Sequence, residues 1–175
     1  SGVLKADVVL IATGATPRVL PNARPDGERI LNWRQLYDLT ELPEHLVILG
    51  GSYVGLEFGQ MYRRFGSEVT IVQRDPYLVP REDEDVSRAI RETLEGEGIR
   101  VLTDAGATRV TERGGKVVVS VTMGGKAMEV TGSHLLVATG RRPNTDDLGL
   151  DRAGVQTDEH GYIKVAGTTT PNPPE

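Results

Sequence analysis

The chain has 175 residues, of which 38% are hydrophobic and 26% are charged, and its formal net charge is −5. These values are typical of one soluble globular domain, and the acidic balance argues against nucleic acid or an anionic membrane as a partner. The sequence has no cysteine and only three widely spaced histidines, which excludes disulfides and thiol chemistry within this chain and predicts no metal site. With no apolar run long enough to span a bilayer and no visible signal peptide, we expect a cytoplasmic protein.

The first predicted elements are a strand, a loop and a short helix. The run ADVVLIATG at 6–14 is apolar, rich in β-branched residues and ends in glycine, which predicts a buried strand. Three prolines and a glycine at 15–30 predict a loop. NWRQLYDL at 32–39 predicts a short helix with Asn32 as its N-cap.

A strand, a helix and a second strand are predicted next. HLVILG at 45–50 and EVTIVQ at 68–73 are short apolar runs typical of buried strands. Between them, residues 53–65 carry apolar side chains at the spacing of one helical face, and Gly66 supplies the residue that ends the helix.

The remaining pattern completes the predicted fold. Residues 83–98 have acidic residues in the first turn and a glycine near the end, which predicts a helix. The apolar run at 99–103 predicts another strand. Two Gly-Gly pairs divide the β-rich stretch from about 107 to 131, which predicts a three-stranded antiparallel meander, and HLLVATG at 134–140 predicts a last buried strand. We therefore expect an α/β fold: a Rossmann-like parallel sheet with helices on both faces and a β-meander crossover.

The candidate functional motif is the glycine turn between the strand at 45–50 and the following helix. Such a turn aims free N–H groups and the positive end of the helix dipole at one point, which suits a pyrophosphate. Gly50 would make the tight turn, Gly51 would keep it flexible, and Gly55 would let the helix pack closely on the strand. Ser52 replaces the usual middle glycine, and its hydroxyl can donate to a phosphate oxygen. The alternative interpretation is a merely structural turn.

Four stretches together carry a family resemblance. VLIATGATPRVLP, LVILGGSYVGLEFGQ, GSEVTIVQR and LLVATGRRPN occur in the order found in the pyridine nucleotide-disulfide oxidoreductases, and the resemblance covers roughly residues 6–164. These are FAD-dependent enzymes such as dihydrolipoamide dehydrogenase, glutathione reductase and mercuric reductase. The first and last stretches are also similar to each other.

The resemblance implies a part of a larger flavoenzyme. Residues 1–40 would be a flanking segment from the FAD domain and a linker, 41–145 the NAD(P)-binding domain, and 146–175 the return towards the FAD domain. The redox-active cysteine pair, the FAD fingerprint and the dimerisation domain of the family are not in the sequence, so we expect no catalytic residue within this chain. FAD would belong to the full-length protein only, which the resemblance implies is a homodimer. The open alternative is a standalone nucleotide-binding or regulatory module.

The resemblance also assigns the residues of the turn to NAD(P)H. Gly50, Ser52, Val54 and Gly55 would cradle the nucleotide together with Tyr53. Tyr53 resembles the side chain that lies over the flavin and moves aside for nicotinamide, although an aromatic packed on a neighbouring loop is an equal alternative.

Outside the turn, the resemblance implies several more positions. Glu57 is similar to the acid beside the nicotinamide carboxamide, with a solvated helix charge as the alternative. Gly140 would lie at the ligand-binding edge of the sheet, and Ala107 would line the adenine side. The points where the chain crosses back towards FAD would be Thr13, Gly14 and Arg141.

The end of the strand at 68–73 predicts which nucleotide is preferred. A carboxylate there binds the ribose 2′-hydroxyl and repels a 2′-phosphate. This sequence has Gln73 in its place, which can still bond a ribose hydroxyl but repels nothing, followed by Arg74. A guanidinium suits phosphate, and Arg81 lies in the loop entering the next helix. We therefore expect NADP(H), with NAD(H) as the alternative, while Asp75 could pair with Arg74 or repel the phosphate.

Overall fold

The computed structural model describes residues 2–165, which form two compact units: 17–140, and the described parts of 1–16 with 141–175. The strands are β1 (Ala15–Pro17), β2 (Ile30–Leu31), β3 (His45–Leu49), β4 (Glu68–Val72), β5 (Arg100–Leu102), β6 (Ala105–Arg113), β7 (Lys116–Met123), β8 (Lys126–Gly132), β9 (His134–Val137) and β10 (Arg141–Pro143). The helices are α1 (Trp33–Leu36), α2 (Tyr53–Phe65) and α3 (Glu84–Gly96), and Leu150–Ala153 form a 3₁₀ turn.

A five-stranded parallel sheet forms the centre of the unit 17–140. Its order is β2-β9-β3-β4-β5, so β9, the last of these five strands in sequence, lies between β2 and β3. Four of the five strands predicted from apolar runs are present, and beyond their first residues they are buried because both faces of the sheet are covered. The predicted fold class, a Rossmann-like parallel sheet with an antiparallel meander crossover, is confirmed.

The two faces of the sheet are covered by different layers. Residues of α1, α2 and α3 pack on one face, where Phe58, Tyr62 and Leu94 meet alternate residues of β3 and β4. The meander β6-β7-β8 covers the other face through Val117, Val119 and their neighbours. The second face thus carries a β-layer where helices were expected, because the crossover from β5 to β9 is itself built of strands.

The helix ends follow the residues that the sequence places there. Asn32 caps α1: its side chain accepts from the N–H groups of Arg34 and Gln35, and the Gln35 side chain accepts in return from the Asn32 N–H. Gly66 ends α2 in the left-handed conformation, with φ of 111°. Helix α1 ends at Leu36, so it is shorter than predicted.

The segment 6–14 is not the buried strand that the sequence predicts. It has no strand pairing in the described structure, and Val8, Val9 and Leu10 are exposed. A strand is stable only when another strand accepts its backbone hydrogen bonds, and no described strand pairs with this stretch. The apolar, β-branched composition alone therefore led to a wrong prediction of a buried strand for this segment.

Two short strands lie in stretches that were predicted as loop. β2 extends the parallel sheet by pairing Ile30 and Leu31 with β9, and β1 pairs with β10. Strands this short have no periodicity to read, since alternation needs at least four residues.

The unit of 1–16 and 141–175 is held together around β1 and β10. The Asn144 N–H donates to the Gly14 carbonyl over 3.0 Å, and Thr157 pairs with Ile163 in an isolated bridge. The predicted return segment 146–175 is described only as far as residue 165. Across residues 2–165, none of the helices has the length and apolar character that crossing a membrane requires.

Candidate functional site

The turn after β3 requires glycine at Gly50. Its φ is 111°, in the region that side chains rarely adopt, and its N–H donates to the Val72 carbonyl over 2.9 Å. A Cβ at this position would stand 2.5 Å from the carbonyl oxygen of Ala138 at the end of β9. The turn is therefore pressed against the carboxyl end of the parallel sheet, the edge where open α/β sheets bind ligands.

Gly55 lets helix α2 approach this turn. A Cβ on Gly55 would stand 2.0 Å from the Gly50 carbonyl oxygen, so any side chain would push the helix off the sheet. Gly51 was expected to keep the turn flexible, but it is fixed in place. Its N–H donates to Gln73 Oε1 over 2.9 Å, and a Cβ on it would stand 2.5 Å from Leu78.

Ser52 is the N-cap of α2, and its side chain makes no capping hydrogen bond. The first helical hydrogen bond runs from the Leu56 N–H to the Ser52 carbonyl over 3.0 Å. The N–H groups of 52–55 precede it and are the groups that a helix N-terminus offers to an anion. With the Ser52 hydroxyl beside them, these groups fit a pyrophosphate.

Tyr53 and Glu57 lie on the exposed side of α2. The Tyr53 hydroxyl donates to Glu82 in the loop before α3, and this hydrogen bond raises the pKa of the tyrosine. Glu57 is exposed, while Val54 is half-buried and packs against the helix-side core. The Tyr53 hydroxyl is thus bonded to a neighbouring loop while the residue stays exposed, and its role beside the nicotinamide stays a prediction.

Gln73 closes the end of β4. It is buried, and its amide bridges the glycine turn and the following loop: Nε2 donates to Asp75 Oδ2 over 3.0 Å and to the Tyr77 carbonyl over 3.3 Å. The Val79 N–H adds a backbone hydrogen bond of 2.8 Å to the Gly51 carbonyl.

The predicted phosphate ligands lie on the same loop. The Arg74 side chain is 84% exposed, and its Nε is 3.6 Å from Asp75 Oδ1. Arg81 is exposed next to Glu82, the partner of Tyr53. Arg74 is therefore free to turn towards a ligand, and Asp75 is its competing partner.

The opposite side of the site is formed by β6 and by the end of β9. β6 begins beside Gln73, because the Ala105 N–H donates to the Gln73 carbonyl over 2.9 Å, and Ala107 is half-buried two residues further along. Gly140 is exposed, with φ of 120°. Next to it, Thr139 Oγ1 is buried and has no hydrogen-bond partner among the described residues.

Thr13, Gly14 and Arg141 belong to the other unit of the chain. There the Arg141 side chain donates to the Ala15 carbonyl over 2.9 Å, and the Asn144 side chain donates to the Thr13 carbonyl over 2.9 Å. These three predicted positions are thus near each other, and their predicted role towards FAD stays a prediction.

The sequence did not reveal the contacts that hold this loop. No sequence pattern marked Glu82 as a partner of Tyr53, and Leu78 and Val79, both buried, were not singled out. Val79 has a φ of 41°, which is unusual for a β-branched residue, and no local sequence pattern predicts it.

Within the described residues there is no cluster of three or more side chains suited to a metal ion.

Comparison with known proteins gives one consistent family. The family model described as "Pyridine nucleotide-disulphide oxidoreductase" matches residues 2–174. An "NAD(P)H dehydrogenase (quinone)" of Mycobacterium tuberculosis is 46% identical, over 92% of this chain and 32% of the relative. A "Dihydrolipoyl dehydrogenase" of Thermus scotoductus is 39% identical, over 91% of this chain and 35% of the relative.

Solved structures agree with these matches. LpdA from Mycobacterium tuberculosis has a TM-score of 0.82 and 45% identity, over 92% of this chain and 34% of its own. The flavoprotein disulfide reductase RclA from Escherichia coli, as its Cu(II) complex, has a TM-score of 0.74 and 34% identity, over 88% of this chain and 34% of its own. The chain therefore spans about a third of the length of these relatives.

Proposed function

This chain belongs to the pyridine nucleotide-disulphide oxidoreductase family, and we propose that it is the NAD(P)H-binding domain of an FAD-dependent disulfide or metal-ion oxidoreductase. The observation that carries the proposal is the turn from Gly50 to Gly55. There a helix N-terminus with free N–H groups is pressed onto the sheet edge so closely that no side chain fits at either glycine.

Bound NAD(P)H would supply a hydride for the flavin of the full-length enzyme. The residues of this chain would contribute binding and orientation. The N–H groups of 52–55 and the Ser52 hydroxyl would hold the pyrophosphate, and Tyr53 and Glu57 would border the nicotinamide end. Gly140 and Ala107 would border the site from β9 and β6. Among residues 2–165, α2 is the only helix of eight or more residues that directly follows a strand and a glycine turn.

We also propose that the site prefers NADPH to NADH. Arg74 and Arg81 lie on the loop that starts at the end of β4, and Arg74 is 84% exposed with only one weak ion pair. A guanidinium that reaches the 2′-phosphate gives a charge-assisted hydrogen bond of about 1.5–3 kcal/mol, which corresponds to roughly ten- to hundredfold discrimination.

A binding titration tests both the assignment as an NAD(P)H-binding domain and the preference for NADPH over NADH. The purified protein is titrated with NADPH and with NADH by nucleotide fluorescence, as wild type, Arg74→Ala and the control Arg88→Ala, whose side chain lies on α3 and pairs with Glu84. We expect NADPH to bind more tightly to wild type and to Arg88→Ala, and the preference to disappear in Arg74→Ala. If neither nucleotide binds wild type, the domain assignment fails. If Arg74→Ala keeps the preference, only the assignment of Arg74 fails.

The alternative function is a nucleotide-binding or regulatory module without turnover. An absorbance spectrum and an NADPH-oxidation assay separate the two at the level of the whole protein. We expect this chain alone to be colourless and inactive, and the full-length protein to be yellow and to oxidise NADPH. Stoichiometric flavin on this chain alone would contradict the proposed domain boundaries.

A further inference from the structure

The Gln73 side chain has a fixed orientation that follows from its partners. The Gly51 N–H can only donate, so the amide atom facing it must be the oxygen. The Asp75 carboxylate and the Tyr77 carbonyl accept, so the atom facing both must be the nitrogen. Both N–H groups of the amide are therefore used within the protein, and the side chain is 6% exposed.

This arrangement leaves Gln73 poorly suited to contact a ribose. Its nitrogen has no donor left for a hydroxyl, and its oxygen, which accepts from the Gly51 N–H, belongs to a residue that is buried. What the amide does instead is connect two segments of the site: the turn at Gly51 and the loop that carries Arg74.

Other contacts join the same two segments. The Val79 N–H donates to the Gly51 carbonyl, and Leu78 packs where a Cβ of Gly51 would be. The Gly51 N–H is thus bonded to Gln73 at the end of β4, and its carbonyl is bonded to Val79 in the loop that follows. These bonds fix the position of Gly51 and, through it, of the free N–H groups at 52–55.

We propose that Gln73 is a positioning residue, which locks the glycine turn to the loop bearing Arg74 and does not itself contact the nucleotide. This inference rests on the proposed function as far as nucleotide binding is concerned. Removing the amide loosens the pyrophosphate cradle, which NADPH and NADH share, so both nucleotides lose affinity. NADPH, which also depends on the loop bearing Arg74, loses at least as much as NADH.

The test uses Gln73→Met, which keeps the length of the side chain and removes its hydrogen bonds. Affinities for NADPH and NADH are measured by the same titration, with Arg74→Ala as the contrasting variant. We expect Gln73→Met to bind both nucleotides about three- to tenfold more weakly, with NADPH weakened at least as much as NADH, whereas Arg74→Ala weakens the binding of NADPH alone. A loss confined to one nucleotide would overturn the inference, as would unchanged affinities, and a loss confined to NADH would show that the residue contacts the ribose 2′-hydroxyl.

Amide hydrogen exchange gives a readout that needs no nucleotide. In Gln73→Met, we expect the Gly51 amide to exchange at least about tenfold faster, while the Gly50 amide, bonded to the Val72 carbonyl, stays protected. Should Gln73→Met not fold, the wild-type protein still decides: its Gly51 amide is expected to be protected, and an unprotected Gly51 amide would overturn the inference. Equal protection of Gly51 in wild type and Gln73→Met would overturn the inference. If wild type binds no nucleotide, it is the proposed function that fails, and the exchange measurement still decides whether Gln73 holds the turn.

Discussion

The carbonyl oxygen of Gly50 occupies the space that a side chain on Gly55 would need: a Cβ built on Gly55 stands 2.0 Å from it. The two residues are on opposite sides of the turn that joins β3 to α2. Their contact sets how deeply the helix N-terminus reaches into the edge of the sheet, and the phosphate-binding geometry depends on that depth.

We therefore expect Gly55→Ala to destabilise the protein by about 1–3 kcal/mol, because the backbone must shift to accept the methyl group. Nucleotide affinity should fall as well, since the shift moves the N–H groups at 52–55. The matched control is Gly96→Ala at the end of α3, where a Cβ meets nothing within 4 Å and the better helix former should stabilise by about 0.5–1 kcal/mol. Urea unfolding of both variants checks this, and equal stabilities would contradict the tight contact.

A second prediction concerns the ion pair between Asp75 and Arg74. Asp75→Asn removes the charge that competes for Arg74, and its amide oxygen can still accept from Gln73 Nε2. Because the pair is largely exposed, we expect a modest gain, up to about fivefold in affinity for NADPH, and no change for NADH. Glu95→Gln, which removes a charge from α3, serves as the control. An equal gain for both nucleotides would mean that Arg74 is not near the 2′-phosphate.

The hydrogen bond between Tyr53 and Glu82 gives a spectroscopic prediction. Glu82 favours the protonated phenol, so the pKa of Tyr53 is raised above its ordinary value of 10.0. Glu82→Gln should move this pKa back down, which an ultraviolet titration of the variant shows after subtraction of Tyr53→Phe. A tyrosine that titrates identically with and without Glu82 would mean that the two side chains do not meet in solution.

Much of this fold could be predicted because its main elements are long or strongly apolar. The apolar spacing from 53 to 65 and the glycine that follows located α2 with its observed bounds. The segment 6–14 looked the same as the true core strands, since apolar composition cannot tell whether a partner strand is present. The two-residue strand at Ile30 had too few residues to show any pattern.

The candidate site was predictable only in its backbone part. Motif spacing located the glycine turn, whose geometry depends on neighbours in sequence. The contacts of Gln73 with Gly51 and of Tyr53 with Glu82 depend on how the loop at 74–83 folds back over the turn. That loop has no period, and its path includes the unusual backbone of Val79, so local rules could not supply these contacts.

The two histidines at the start of the central strands predict a pH dependence of stability. His45 and His134 are half-buried, and this burial lowers the pKa of each below the ordinary value of 6.5, although Glu68 acts in the opposite direction on His45. A lowered pKa means that the unfolded chain binds protons more readily than the folded one. The contribution of these two histidines to the free energy of unfolding is therefore fully present above pH 6.5 and is lost as the pH falls through their folded pKa values.

Thermal melting from about pH 8 to about pH 5 checks this prediction. His45→Gln should flatten the acid side of the profile, because glutamine does not titrate. Its amide can still reach the Thr70 hydroxyl that His45 Nε2 contacts over 2.9 Å, so the packing is kept. A wild-type melting temperature that rises towards acid pH would contradict the assigned sign.

The position of β9 between β2 and β3 has a consequence for how the chain is made. β9 emerges from the ribosome after every other strand of its sheet, yet it pairs with β3, whose residues lie 88 positions earlier. Until residue 137 has been synthesised, β3 has an open edge of apolar strand and β2 has no partner in the sheet. The meander has no such delay, because each of its strands pairs with the next along the chain. A nascent chain released before that point would therefore carry a finished meander and an incomplete sheet, whose open apolar edge favours aggregation.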